Sequence, residues 1–140
     1  MADKCLCEQS GAVIFSCCGS SNVGQTANQA AIRLAQQGVV RYFCISGIGG
    51  HVSGMIESAR SAEKIAAIDG CPTGCSKRTL EHAGLQIDQY VQVTDLGIEK
   101  NHDLDPDFPS VDKVVRQFMA GKGNRRSSPH RNGLRHHDGM

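Results

Sequence analysis

Cysteine is the residue type in this chain best suited to chemistry, because its thiolate binds soft metal ions and takes part in redox reactions. The 140 residues include seven cysteines. Cys71 and Cys75 are separated by Pro72-Thr-Gly74, a turn that lets both thiols face a common centre. Such a pair indicates a metal site, a redox dithiol or two small buried side chains, and the spacing alone does not choose among them.

Three more cysteines lie at the ends of apolar segments that are typical of buried strands. Cys17 and Cys18 follow residues 12–16, and Cys44 lies near the end of residues 39–45. Adjacent side chains point in divergent directions, so we expect Cys18 to pack or to face solvent while Cys17 binds a ligand. For Cys17 and Cys44 the alternative is that both are merely buried small side chains.

The segments that position these cysteines repeat one pattern, in which a strand is followed by a loop and a helix. The predicted strands are residues 12–16, 39–45, 65–68 and 86–93, and the predicted helices are residues 25–37, 53–61, 76–83 and a last one capped by Ser110. This alternation indicates parallel strands with helices on both faces of the sheet. The predicted fold is α/β, a three-layer sandwich with a four-stranded parallel sheet, flavodoxin- or Rossmann-like, in strand order 2-1-3-4.

The predicted strand order brings the cysteines to one edge of the sheet. Neighbouring strands lie roughly 5 Å apart, so Cys17, Cys44 and Cys71 would follow adjacent strands, with Cys75 one helical turn further on. Ligands of such sheets bind at the carboxyl ends of the strands. Four thiolates at bond lengths of about 2.3 Å suit Zn²⁺. The sequence therefore predicts Zn²⁺ as the bound ion, with Cys17, Cys44, Cys71 and Cys75 as its ligands.

Four thiolates around a divalent ion carry excess negative charge. We expect amides at the helix starts to stabilise that charge, and Lys77 and Arg78 to add to the effect. These residues lie two and three positions after Cys75, at the start of a predicted helix. The sequence thus predicts a positive surrounding for the thiolates.

Four spaced motifs occur in an order that resembles the DGC-domain family of zinc-binding proteins. They are Cys17-x-Gly-x-Ser-Asn-Val-Gly-Gln25, Cys44 with Gly47-Ile-Gly-Gly-His51, Ile68-Asp-Gly-Cys-Pro-x-Gly-Cys75 and Thr94-Asp-Leu-Gly-Ile-Glu-Lys100. The similarity covers about residues 12 to 105. It implies a zinc site of four cysteines, which map onto Cys17, Cys44, Cys71 and Cys75, and it implies no particular activity.

Two classes of function therefore compete. The first is a zinc-binding protein that serves metal handling or sensing, and closed four-cysteine sites are usually structural. The second is an enzyme, either a thiol oxidoreductase using Cys71 and Cys75 or a metal-dependent enzyme with His51 or Asp69 as proton carrier. His51 could instead only pack in its glycine loop, and Asp69 could only cap the turn by accepting backbone amides. An iron-sulfur cluster on the same four cysteines is a third possibility.

Composition excludes several partners. Lys and Arg number 15 against 14 Asp and Glu, aromatic residues make up 4% and tryptophan is absent, so we expect no nucleic-acid partner. No apolar run reaches the roughly 20 residues of a membrane span, and residues 1–4 lack the apolar core of a signal peptide. We expect a cytoplasmic protein that does not bind membranes, and the sequence names no protein partner.

The length and the polar ends define one domain. Residues 12–120 form the predicted zinc-binding domain, residues 1–11 a flexible N-terminus and residues 121–140 a disordered basic tail. Cys5 and Cys7 in the first segment form at most a minor metal site. The histidines of the tail are expected to be solvated rather than bound to metal.

Overall fold

A four-stranded parallel sheet forms the centre of the protein, whose computed structural model describes residues 11–121. The strands are β1 (Ala12–Ser16), β2 (Arg41–Tyr42), β3 (Lys64–Asp69) and β4 (Gln89–Gln92). Their order is β2-β1-β3-β4, and every neighbouring pair is parallel. The predicted α/β class and the strand order 2-1-3-4 are confirmed.

The described part of the chain also contains five α-helices and one short 3₁₀-helix. The α-helices are α1 (Asn22–Gln36), α2 (Ile45–Gly49), α3 (Ser53–Arg60), α4 (Cys75–His82) and α5 (Phe108–Met119), and the 3₁₀-helix is Val93–Leu96. Ser21 caps α1, because its hydroxyl accepts a hydrogen bond from the Gly24 amide at 3.1 Å. Asp107 rather than the predicted Ser110 caps α5, and its carboxylate accepts the Ser110 amide.

The core lies on both faces of the sheet, as a three-layer sandwich requires. One buried cluster joins Ile14 and Ile68 to α1 and α5, and the other joins Phe15 to Ile48 of α2 and Leu80 of α4. The alternation of side chains along β1 sends Ile14 to one cluster and Phe15 to the other. Both clusters meet at the central strands, which fixes the positions of the loops at the carboxyl edge.

β2 differs from the prediction, and the difference concerns Cys44. The predicted strand of residues 39–45 pairs with β1 only over two residues, although the Phe43 amide still donates to the carbonyl of Ile14 at 3.0 Å. Helix α2 begins at Ile45, and Cys44 is its N-cap residue. Ile48 is 1% exposed, so its burial stabilises the helical conformation of a segment that the sequence analysis assigned to strand and loop.

Expectations for the chain ends lie almost entirely outside the described residues. Residues 1–10 and 122–140 contain Cys5, Cys7 and the tail histidines, so those predictions remain predictions. None of the helices in the described part of the chain has the length and apolarity that a bilayer crossing needs.

Candidate metal centre

A cavity of about 480 Å³ opens at the carboxyl edge of the sheet, and we call it the thiol cavity. Cys17, Cys71 and Cys75, three of the four predicted ligands, line it. Cys18 lines it as well. Cys44 does not, although the two residues that follow it do. Three of the four cysteines that the sequence analysis selects therefore line one cavity at the predicted edge of the sheet, and Cys44 lies outside that lining.

Cys17 is tied to the end of β3 through both its backbone and its side chain. Its amide donates to the carbonyl of Ile68 at 3.1 Å, and its Sγ accepts a hydrogen bond from the Gly70 amide at 3.1 Å. Burial raises the pKa of the Cys17 thiol to about 11, against the opposing effect of the Gly70 and Gly19 amides. Cys17 is thus a neutral thiol at neutral pH, and a metal ion must displace its proton.

Cys71 has the opposite tendency. Hydrogen bonding from Thr73 lowers the pKa of the Cys71 thiol, and the nearby Lys100 ammonium contributes in the same direction. The Nζ atom of Lys100 lies 3.6 Å from Cys71 Sγ. Cys71 therefore ionises more readily than Cys17, which makes it the better initial ligand or nucleophile of the two.

The cation beside the thiols is Lys100, and the expectation that Lys77 and Arg78 contribute there is wrong. Lys77 Nζ lies 5.7 Å from the centre of the Tyr90 ring, and Arg78 Nε donates to the carbonyl of Thr73 at 2.8 Å. Neither lines the thiol cavity. Their side chains leave the start of α4 in other directions, whereas Lys100 arrives from the loop after β4.

Asp69 fixes the start of α4 and with it the backbone of Cys75. This fully buried carboxylate accepts hydrogen bonds from the Ser76 amide at 2.8 Å, the Lys77 amide at 3.0 Å and the Tyr90 hydroxyl at 2.7 Å. Burial and the Asp69 charge raise the pKa of Tyr90, which keeps its phenol protonated as a donor. The interpretation of Asp69 as a cap is confirmed. Gly74, the N-cap residue, has no side chain, and Asp69 supplies the cap from seven residues before Ser76.

The glycine of the Asp-Gly-Cys triplet allows two segments to touch. A Cβ atom on Gly70 would lie 2.7 Å from the Gly24 amide nitrogen and 2.7 Å from the carbonyl carbon of Val23. The turn after β3 therefore rests directly on the first turn of α1. Only glycine permits this approach, and it is the same approach that places the Gly70 amide against Cys17.

Asn22, the first residue of α1, holds the segment that carries Lys100. Its Nδ2 donates to the carbonyl of Glu99 at 2.7 Å, its Oδ1 accepts the Asn101 amide at 2.6 Å, and its own amide donates to the Asn101 carbonyl at 3.2 Å. These three bonds involve both neighbours of Lys100. The sequence carries no local signal for this arrangement, because the side-chain hydrogen bonds of Asn22 join residues 77 and 79 positions apart.

Cys18 lines the thiol cavity, whereas His51 lies outside it. Cys18 is exposed, and its Sγ lies 3.7 Å from Asn28 Oδ1 and 3.9 Å from the Tyr42 hydroxyl. His51 is exposed and makes an edge-on contact with His82, with ring centres 5.4 Å apart. Because His51 does not line the thiol cavity, it has no direct path to a proton there.

The donor chemistry of the thiol cavity suits a soft ion, but the described side chains do not form a coordination set. Among residues 11–121, no three side chains of Cys, His, Asp or Glu are arranged to hold a metal ion. Thiolates from Cys17, Cys71 and Cys75 are nevertheless the ligand type that zinc prefers. The residues thus fit zinc in donor type, although their described positions do not form a closed set of ligands.

Comparison with known proteins gives matches over the part of the chain that contains these motifs. The family model of the DGC domain matches residues 13–118. The chain is 30% identical over 117 residues to the anaerobic and virulence modulator AnvM of Pseudomonas aeruginosa, an alignment that covers 81% of this chain and 89% of that protein. No solved structure gives a significant match. The extent of the family match, which includes every residue that lines the thiol cavity, shows that the chain belongs to the DGC-domain family.

Proposed function

We propose that this protein binds one Zn²⁺ ion through Cys17, Cys44, Cys71 and Cys75. The observation that carries the proposal is that three of these thiols line one cavity at the edge where parallel sheets bind their ligands. Cys44 directly precedes the part of α2 that borders the same cavity, so the fourth thiol would reach the ion from that neighbouring segment. Zinc binding would therefore require the four thiols to move closer to one another than they are in the described structure.

In this proposal the ion serves structure and regulation. Four thiolate ligands leave no open position for a substrate, so zinc would connect the ends of β1, β2 and β3 to the start of α4. Zinc occupancy would then change the stability of the fold. The relative AnvM is named a modulator, and by analogy we assign this chain a regulatory role. The cysteines of the thiol cavity suggest metal handling or sensing as the form of that role.

Metal analysis tests the proposal. The full chain is purified without chelators, and zinc and protein are quantified together; we expect one zinc per chain. Replacing zinc by Co²⁺ should add the visible absorption of cobalt bound to thiolates. A protein without bound metal, which also fails to take up Co²⁺, would contradict the proposal, and a brown iron-containing protein would favour the cluster.

A second candidate function rests on the ionisation of Cys71. The lowered pKa of Cys71 and the position of Cys75 on the wall of the same cavity suit a dithiol that reduces a small disulfide. The two thiols would give two electrons and two protons to the substrate disulfide and become joined to each other. Incubation of the metal-free protein with oxidised glutathione tests this, because the reaction should leave an intramolecular Cys71–Cys75 disulfide. Mixed disulfides alone would contradict it.

A further inference from the structure

Lys100 gives the thiol cavity its fixed charge. Among the described residues that line the cavity, Lys100 is the one lysine or arginine, and no aspartate or glutamate lines it. Its ammonium nitrogen lies 3.6 Å from Cys71 Sγ. The side chain of Lys77, a basic residue much closer in sequence, instead lies over the Tyr90 ring. The charge next to the thiols thus comes from one identifiable side chain.

The position of Lys100 is built into the fold. Lys100 is exposed, so holding its side chain next to Cys71 costs rotamer entropy. The three hydrogen bonds from Asn22 to Glu99 and Asn101 fix the backbone on both sides of Lys100. Asn22 lies in the first turn of α1, next to the close approach at Gly70. The start of α1 therefore carries both the turn with Cys71 and the segment with Lys100.

We propose that Lys100 compensates the excess negative charge of the zinc-thiolate site and that Asn22 positions it there, so that the two residues control zinc release. This inference rests on the proposed function. Four thiolates and one Zn²⁺ have a net charge of about −2, because metal binding removes the thiol protons. Because zinc is held by deprotonated thiols, a cation 3.6 Å from Cys71 Sγ stabilises the loaded site.

The expected effect is moderate, because Lys100 is exposed and solvent screens its charge. Removing the charge should accelerate zinc release by up to roughly fivefold at low ionic strength, in keeping with the modest energies of exposed ion pairs. At about 1 M salt the effect should nearly vanish, since the screening length falls to about 3 Å. A purely structural role of Lys100 would not give this salt dependence.

Zinc transfer from the loaded full chain to a chromophoric chelator tests the proposal at low and high salt. Lys100→Met should release zinc faster, Lys100→Arg should restore the parent rate, and Asn22→Ala should resemble Lys100→Met. Lys77→Met is the matched control, because it removes a lysine charge outside the thiol cavity and should keep the parent rate. Equal rates for the parent and Lys100→Met at low salt would overturn the inference.

A second measurement tests, in the metal-free protein, whether Asn22 positions the segment that carries Lys100. In the metal-free protein, Asn22→Ala should increase the hydrogen exchange of the Asn101 amide, which donates to Asn22 Oδ1. Unchanged exchange would show that Asn22 does not hold the segment. The two levels of failure are distinct: a parent chain without zinc overturns the proposed function together with this inference, whereas a zinc-loaded parent with unaffected release overturns the inference alone.

Discussion

Asp69→Asn tests whether a buried carboxylate holds the start of α4. The substitution keeps the size of the side chain but replaces one acceptor oxygen by an NH₂ group. In the parent, Oδ1 accepts the Ser76 amide, and Oδ2 accepts both the Lys77 amide and the Tyr90 hydroxyl. In the variant, the remaining side-chain oxygen can accept a hydrogen bond from only one of the Ser76 and Lys77 amides. The other amide faces the new NH₂ group, which is itself a donor. At least one buried amide therefore loses its partner.

The magnitude follows from these contacts. A hydrogen bond to a charged group contributes roughly 1.5–3 kcal/mol, and a buried donor without a partner costs roughly 1–3 kcal/mol. Part of this loss is offset because the variant no longer buries a charge. We expect a net decrease of about 2–4 kcal/mol in the free energy of unfolding, which for a chain of this length lowers the Tm by roughly 6–15 °C. Tyr90→Phe removes only the phenol bond and should cost about half as much.

Urea denaturation of the metal-free proteins measures these differences, with chelator present so that zinc binding does not contribute. Repeating the titration with zinc adds a second readout. The stabilisation by zinc should be smaller in Asp69→Asn than in the parent, because Cys75 begins the helix that Asp69 anchors. The reasoning is refuted if Asp69→Asn has the urea midpoint and slope of the parent, or if Tyr90→Phe is the more damaging change.

Two further predictions concern the thiols and the close approach of the turn to α1. In metal-free protein, alkylation of Cys71 should reach half its maximal rate below pH 9.0. Alkylation of Cys17 should do so only near pH 11, because burial keeps the Cys17 thiol protonated. Mass spectrometry measures both rates, and equal pH midpoints would contradict the prediction. Gly70→Ala should destabilise the fold by about 2 kcal/mol or more, since its methyl group meets backbone atoms. Gly54→Ala, in α3 with nothing within 4 Å of the new atom, should be neutral or stabilising by up to about 1 kcal/mol, and urea midpoints compare the two.

The sheet could be predicted because its strands are short apolar runs separated by clear helix and loop signals. β1 and β3 are buried on both faces, so their sequences lack polar alternation and mark them as central strands. The position of Cys44 could not be predicted in the same way. Residues 43–48 are apolar at positions that suit a continued strand as well as a short helix, and the choice depends on where Ile48 packs.

The thiols of the candidate site could be predicted better than their surroundings. Cys17, Cys71 and Cys75 follow from the rule that loops at the carboxyl ends of parallel strands share one edge. Lys100 could not be assigned, because its position depends on hydrogen bonds to Asn22, which lies 78 residues earlier in the chain. Lys77 was a reasonable candidate from its sequence position alone, and only the packing of its side chain over Tyr90 excludes it.

The zinc content of cysteine variants tests the central claim most directly. Cys17→Ser, Cys44→Ser, Cys71→Ser and Cys75→Ser are compared with Cys18→Ser, all purified without chelators and quantified per folded chain. The account predicts one zinc in the parent and in Cys18→Ser, and a marked loss of both zinc and thermal stability in each of the other four. Equal zinc content in the parent, Cys17→Ser and Cys44→Ser would contradict the four-cysteine site.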